Sequence, residues 1–283
     1  MDVKQPTSFS EQLTILKQRG CKVDDDDFSL KVLADVNYYR LSAYFLPFKY
    51  GDRYMEDTRF NVIFDIYEFD RKLRSLLLSL MEGLETKLRA RIAYLHAHKY
   101  GALGYLDKQS FNTKHKSAEF ERHIKDIIAK NHQILIVKHH NEKYGGQFPI
   151  WVIIELFTFG MLSLFYSDLK REDQKEIARS AFNHSDAELR SWLLCLTHLR
   201  NKCAHYSRLY YTLFPARPIK MSDSSNEMNR RLFDYILIAK ALCQGTPFWD
   251  SEFLPSFLAL MENQDSIQPE HIGFPKNWRD LLN

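Results

Sequence analysis

A chain of 283 residues with 45% apolar and 14% aromatic side chains has ample material for a core, and its 27% charged share is ordinary, which excludes wholesale disorder. Ten glycines and nine prolines are about half the usual proportion, too few for the turns of an all-β chain. The net charge of +3 names no partner by itself.

The N-terminus is charged and polar and lacks an apolar run with a small-residue cleavage site, so no signal peptide is expected. Ser8-x-x-Glu11 is a capping-box pattern followed by Leu13, Leu16 and a stop at Gly20, which predicts a first helix. The acidic run Asp24 to Asp27 reads as the solvated start of a second helix, since the rest of a calcium-loop pattern is missing. Tyr38 to Phe45 mixes aromatic and small residues and reads as a tightly packed third helix. From about Arg59 to Tyr100 apolar residues recur every three or four positions without a proline, which predicts one helix of roughly 60 Å with a possible kink site at Gly83. A second long helix is expected from about His115 to Lys143, then shorter ones over Ile150 to Phe159, Met161 to Leu169 and Glu172 to Phe182.

The apolar stretch from Ile150 to Tyr166 contains Glu155, Thr158 and Gly160 and is shorter than the roughly 20 residues of a membrane span, so no membrane partner is expected. A second capping box, Ser185-x-x-Glu188, opens a helix with Leu189, Trp192, Leu193, Leu196 and Leu199 on one face. Further helices are predicted from about Glu227 to Cys243 and near Glu252 to Met261. The fold class is therefore all-α: a helical bundle with long core helices, an N-terminal helical extension over 1–57, a core over 58–245 and a C-terminal helical tail over 246–283 packed on it. The cysteines at 21, 195, 203 and 243 have no framework spacing, which points to a reducing, cytoplasmic location.

From Leu189 to Lys220 there are six basic residues and no Asp or Glu, so the rest of the chain is net −3. Tyr206 and Tyr210 lie among Lys202, Arg208 and the other cations, and positive groups beside flat rings suit single-stranded RNA. Arg200-Asn201-x3-His205 follows directly on the capped helix. In cleavage by the sugar's own 2′-hydroxyl, a histidine near its ordinary pKa of about 6.5 takes the proton. A permanently charged arginine stabilises the crowded phosphorus, and Asn201 would orient the sugar or phosphate. Five residues correspond to about 140° on a regular helix, so Arg200 and His205 do not share a face there.

The spacing is weak evidence alone, because Arg91 and His96 repeat it within a plain amphipathic stretch. Cys195-x2-His198-x4-Cys203-x-His205 offers zinc-type ligands, but Cys195 and His198 lie on a helix rather than a tight turn and the cysteine fits the apolar face, so neither a metal nor another cofactor is expected. His139-His140 reads as an exposed helix end. Glu82 and Glu85 are candidates to hold the arginine or histidine in place, the alternative being plain surface carboxylates.

The run Leu199 to His205 resembles the Arg-Asn-x-x-x-His signature of the HEPN (higher eukaryotes and prokaryotes nucleotide-binding) superfamily of helical ribonucleases. Asn37 to Tyr44 with Pro47-Phe48, Tyr67 to Arg71 with Leu73-Arg74, Glu82 to Arg89, Trp151 to Gly160 and Gly273 to Trp278 together resemble the Abi-like (AbiD/AbiF) abortive-infection family, in order along nearly the whole chain. The resemblance implies a HEPN-type core and a toxin-like role in bacterial antiviral defence. It also implies endoribonuclease activity through Arg200 and His205; attack by the sugar's own hydroxyl, as above, would make it metal-independent with a 2′,3′-cyclic phosphate product. Some members act with a small non-coding RNA, so a non-cleaving RNA-binding protein is the alternative. One motif per chain implies a homodimer that brings two motifs to one cleft. The chain departs from the family after His-x-Ser-Arg-Leu, with Tyr210-Tyr211-Thr212 where Trp-Asn-Arg is usual.

Overall fold

Both capping boxes form. Ser8 and Glu11 exchange bonds of 2.6 Å and 3.3 Å at the start of helix α1 (Phe9–Gln18), and Ser185 and Glu188 do so at 3.0 Å and 3.2 Å. The computed structural model describes residues 5–222, 227–262 and 265–282, so the first four residues of the N-terminus read above for a leader lie outside it. Among the described residues there are thirteen α-helices and one two-stranded hairpin, Lys49–Tyr50 with Arg53–Tyr54, confirming the all-α class. No helix among them is long and apolar enough to cross a membrane.

After α2 (Asp26–Asp35), capped by Asp25, and α3 (Tyr38–Phe45), capped by Asn37, the chain enters α4 (Phe60–Tyr100), 41 residues long. Its stripe Phe60, Ile63, Phe69, Leu73, Leu77, Leu88 and Ile92 is fully buried. Helices α3, α7 (Ile150–Ile153), α9 (Arg171–Phe182), α10 (Asp186–Ala204) and α12 (Leu254–Glu262) all pack against α4. The buried apolar residues from Leu13 to Leu282 form one contiguous cluster. Gly83 is a close-packing position within continuous helix: a Cβ there would lie 2.4 Å from the Phe248 ring.

Three expected helices differ from those observed. The single helix from His115 to Lys143 is two, α5 (Ser117–Lys130) and α6 (Leu135–Lys143). The polar run Lys130 to Gln133 has no side chain to bury, and Asn131 turns its amide back to the Ile127 carbonyl at 2.9 Å. The helix at Ile150 ends at Ile153 in a short 3-10 turn, because Thr158 caps the next helix, α8 (Phe159–Asp168). Helix α11 begins at Leu232, not Glu227, because the Asp234 carboxylate accepts the amides of Asn229 and Arg230 and so holds them out of the helix. The last described element is the short helix α13 (Trp278–Leu282).

The two copies of the motif differ in burial. His96 is fully buried among the rings of Tyr100, Phe111 and Phe165, and neither ring nitrogen has a hydrogen-bond partner among the described residues. Burial pushes its pKa down to about 4, with Asp173 opposing. Because the folded value lies below the ordinary 6.5, stability is full above pH 6.5 and falls as pH drops towards about 4. His96→Leu is therefore expected to raise stability at neutral pH by on the order of 1 kcal/mol and to flatten the loss between pH 6.5 and 4. Urea midpoints measured across that range test this, and an unchanged acid limb in the variant would refute it.

Candidate nucleic-acid interface

Helix α10 fixes the orientation of the motif. The five predicted face residues and Cys203 are fully buried against α4, α8, α9 and α11. Each large apolar side chain contributes roughly 1.5–3 kcal/mol, enough to lock the helix rotation. Glu188 reinforces its start: burial opposes ionisation, but hydrogen bonds from Ser185 and Ser222 hold its carboxyl down to about 2. With Leu199 and Cys203 turned inward, Arg200 and Lys202 are half-buried and Asn201 is exposed.

The helix ends in a Schellman turn, in which Tyr206 N–H donates to the Cys203 carbonyl at 3.1 Å and Ser207 N–H to the Lys202 carbonyl at 2.8 Å. His205 is the exposed C-cap. Tyr206 occupies the left-handed position after it, φ +55°, where glycine is the usual residue. The conformation costs a residue with a side chain roughly 1–2 kcal/mol, and Tyr206 remains 65% exposed.

The returning segment is held from below by Asp70, on α4 and fully buried. Its carboxylate accepts the amides of Leu209 (2.9 Å) and Tyr210 (3.0 Å), the Tyr44 hydroxyl (2.7 Å) and Nη1 of the buried Arg74 (2.7 Å). Burial pushes the carboxyl up, while these donors favour the carboxylate they surround. From the side, Nη1 of Arg40, on α3, donates to the Tyr206 carbonyl at 2.7 Å, and the Arg208 guanidinium donates to the Ala43 carbonyl. Sequence reasoning missed Arg40, Asp70 and Arg74 as parts of this site. Each lay within a stretch noted for its family resemblance, which was their only signal.

Arg200 and His205 open onto different hollows of the chain. Arg200 lines a notch of about 350 Å³ with Glu82, Glu85 and Arg89. Glu85 is paired with Arg89, whose guanidinium also donates to the Ile154 and Phe157 carbonyls, and Glu82 is exposed. Neither glutamate bonds to Arg200 or His205 in the described hydrogen bonds; they share a hollow with the arginine only. His205 lines a hollow of about 610 Å³ with Tyr39, Arg40, Tyr206 and Arg208. Lys202 lies over the Phe214 ring at 5.9 Å.

Tyr210 is not available to stack on a base: it is fully buried, and its hydroxyl meets the Gln268 backbone and the His271 ring. Tyr211 also bonds His271, at 2.6 Å, so the departure from the usual family sequence serves contact with the C-terminal segment. The basic cluster is also composed differently from the sequence run. Arg190 is tied to Gln174 and Lys220 pairs with Glu227, while Arg40 joins from α3; Arg71 and Arg74, on α4 beside it, are paired with Glu68 and Asp70. Among the described residues no ion pair engages Arg40, Arg200, Lys202 or Arg208.

All four cysteines are free and buried, and burial pushes the Cys195 thiol up to about 11 and that of Cys203 up to about 12. Neither thiol is presented as a zinc ligand beside His205, and no group of three or more His, Cys, Asp or Glu among the described residues is arranged to hold a metal ion. His140 is buried, its ring stacked on Phe148 and bonded to the Gln147 carbonyl, so it is not the exposed helix end expected from sequence.

The chain is thus an all-α bundle that carries Arg200, half-buried, and Asn201 and His205, exposed, at the end of α10. Residues 31–211 match the family model described as Abi-like protein, and the chain belongs to that family. No curated protein and no solved structure matches the chain.

Proposed function

We propose that this Abi-like protein is a cytoplasmic, HEPN-type endoribonuclease of bacterial abortive infection, cutting single-stranded RNA without a metal. The observation that carries this reading is His205: an exposed imidazole at a helix end, on a hollow whose other charged residues are Arg40 and Arg208. A phosphodiester drawn there places its ribose beside an imidazole, the side chain suited to accept the 2′-proton. His205 takes the 2′-proton, the 2′-oxygen bonds to phosphorus, and the bond to the 5′-oxygen breaks as that oxygen gains a proton. Arg200 would neutralise the developing charge, and Asn201, beside it, would orient the sugar.

Cleavage is expected to persist in EDTA, to leave 2′,3′-cyclic phosphate and 5′-hydroxyl ends, and to spare DNA of the same sequence. Mass spectrometry of the products checks this, and 5′-phosphate ends would refute the mechanism. A non-cleaving protein that holds a small non-coding RNA is the second reading, favoured by the separation of Arg200 from His205 within one chain. Sequencing RNA that copurifies with the protein distinguishes a defined bound species from a spectrum of cleaved fragments.

The same separation favours a two-fold dimer. A second chain would supply the Arg200 that a single His205 lacks, and a second histidine to protonate the leaving oxygen. Specific activity is expected to fall on dilution, in step with the appearance of monomers in light scattering. A monomer that keeps full specific activity would place a complete site in each chain.

A further inference from the structure

We propose that Tyr39, Arg40, Tyr206 and Arg208 form a subsite for the nucleotide next to the cleaved bond, the arginines taking its phosphate and the two tyrosine rings its base. This rests on the RNA reading above and extends it to α3, outside the Arg-Asn-x3-His motif. Three features of the molecule converge on it.

The first is Tyr206 itself, a bulky residue held in a backbone conformation that glycine adopts freely, with its ring left mostly in solvent. Strain kept at an exposed ring is more readily understood as serving a ligand than as serving the fold. The second is Tyr39, 74% exposed on α3 and lining the same hollow as Tyr206. The third is the charge. Arg40 and Arg208 each engage one main-chain carbonyl through Nη1, and no carboxylate pairs with either among the described residues, so each guanidinium keeps its charge and further donors.

The surroundings extend the same chemistry. Arg40 and Tyr206 also line a second hollow of about 310 Å³, to which Arg71 and Arg74 contribute. No Asp or Glu lines either hollow. Arg71 and Arg74 are paired with Glu68 and Asp70, so among the described residues Arg40 is the cation without a carboxylate partner in the second hollow. The pair Arg40 and Tyr206 stands between the two depressions, where a phosphate and its neighbouring base could be held together. The larger depression, about 610 Å³, is within the roughly 300–1,000 Å³ range of small-ligand sites.

The test uses the full chain and a mixed-sequence single-stranded 2′-fluoro RNA, which lacks the attacking hydroxyl, with binding followed by fluorescence anisotropy. Tyr206→Gly is expected to keep or raise the thermal midpoint yet weaken binding roughly tenfold or more. A ring that merely supported the fold would lower the midpoint instead. Tyr39→Ala is expected to weaken binding similarly, Tyr39→Phe to restore it, and Arg40→Gln to reduce the salt dependence of binding by about one phosphate contact. Lys125→Ala, on exposed α5 surface, is the control and should bind normally.

Wild-type affinity in both Tyr39→Ala and Tyr206→Gly, while wild type binds the RNA, overturns the subsite and leaves the RNA reading standing. Failure of wild type to bind any RNA overturns both. A nucleoside monophosphate that binds as tightly as the oligomer, with the same sensitivity to these substitutions, would assign the hollow to a free nucleotide and overturn the strand subsite.

Discussion

His205→Ala is expected to lower the single-turnover rate of RNA cleavage by roughly 100- to 10,000-fold while leaving most of the RNA affinity in place. The imidazole is exposed at the end of α10, so its truncation opens no cavity and the protein should melt as wild type does. Arg200→Ala is expected to weaken both binding and rate, because the same guanidinium would touch phosphate before and during bond breaking. Arg200→Lys should recover binding better than rate, since an ammonium keeps the charge but not the planar two-pronged donor. His96→Ala should retain the wild-type rate per folded molecule, its ring lying in the core. A dead His96→Ala beside a normal His205→Ala would mean that the catalytic copy of the motif lies on α4.

What could be read from sequence follows the range of the forces involved. Caps at Ser8 and Ser185 are contacts between residues three apart, so their pattern is complete in a short window, and the helices begin where predicted. The start of α11 was misplaced because Asp234 reaches back to Asn229 and Arg230, while buried Met228 extends the apolar pattern beyond the helix. The motif was legible as residues, but its setting depends on contacts such as Arg40 with Tyr206, 166 positions apart. Tyr210 shows the cost of reading locally. It sits in a basic, tyrosine-rich run, yet Asp70 takes its amide and the segment around Gln268 and His271 takes its ring. Composition marked a basic, tyrosine-rich run but not which of its rings face outward.

Asp70 carries the largest expected effect on stability. Asp70→Ala leaves the Arg74 guanidinium, 4% exposed, without its carboxylate, and takes away the acceptor of the Leu209 and Tyr210 amides. Breaking a buried ion pair from one side costs about 3–5 kcal/mol, a large part of the stability of an ordinary domain. Asp70→Asn should cost less, since the amide oxygen still accepts from some of the four donors. Adding Arg74→Met to Asp70→Ala should recover part of the loss by removing the stranded charge. Because the same carboxylate holds the segment just after His205, hydrogen exchange in Asp70→Asn should quicken first at the amides of Leu209 and Tyr210. Cleavage in that variant should fall further than its unfolded fraction accounts for. Urea denaturation of the four proteins and exchange measurements on Asp70→Asn test the two halves separately. A cost below about 1 kcal/mol for Asp70→Ala, the scale of a single ordinary hydrogen bond, would show that the pair does not hold the fold. Unchanged protection at Leu209 and Tyr210 would show that the motif turn is positioned by something else.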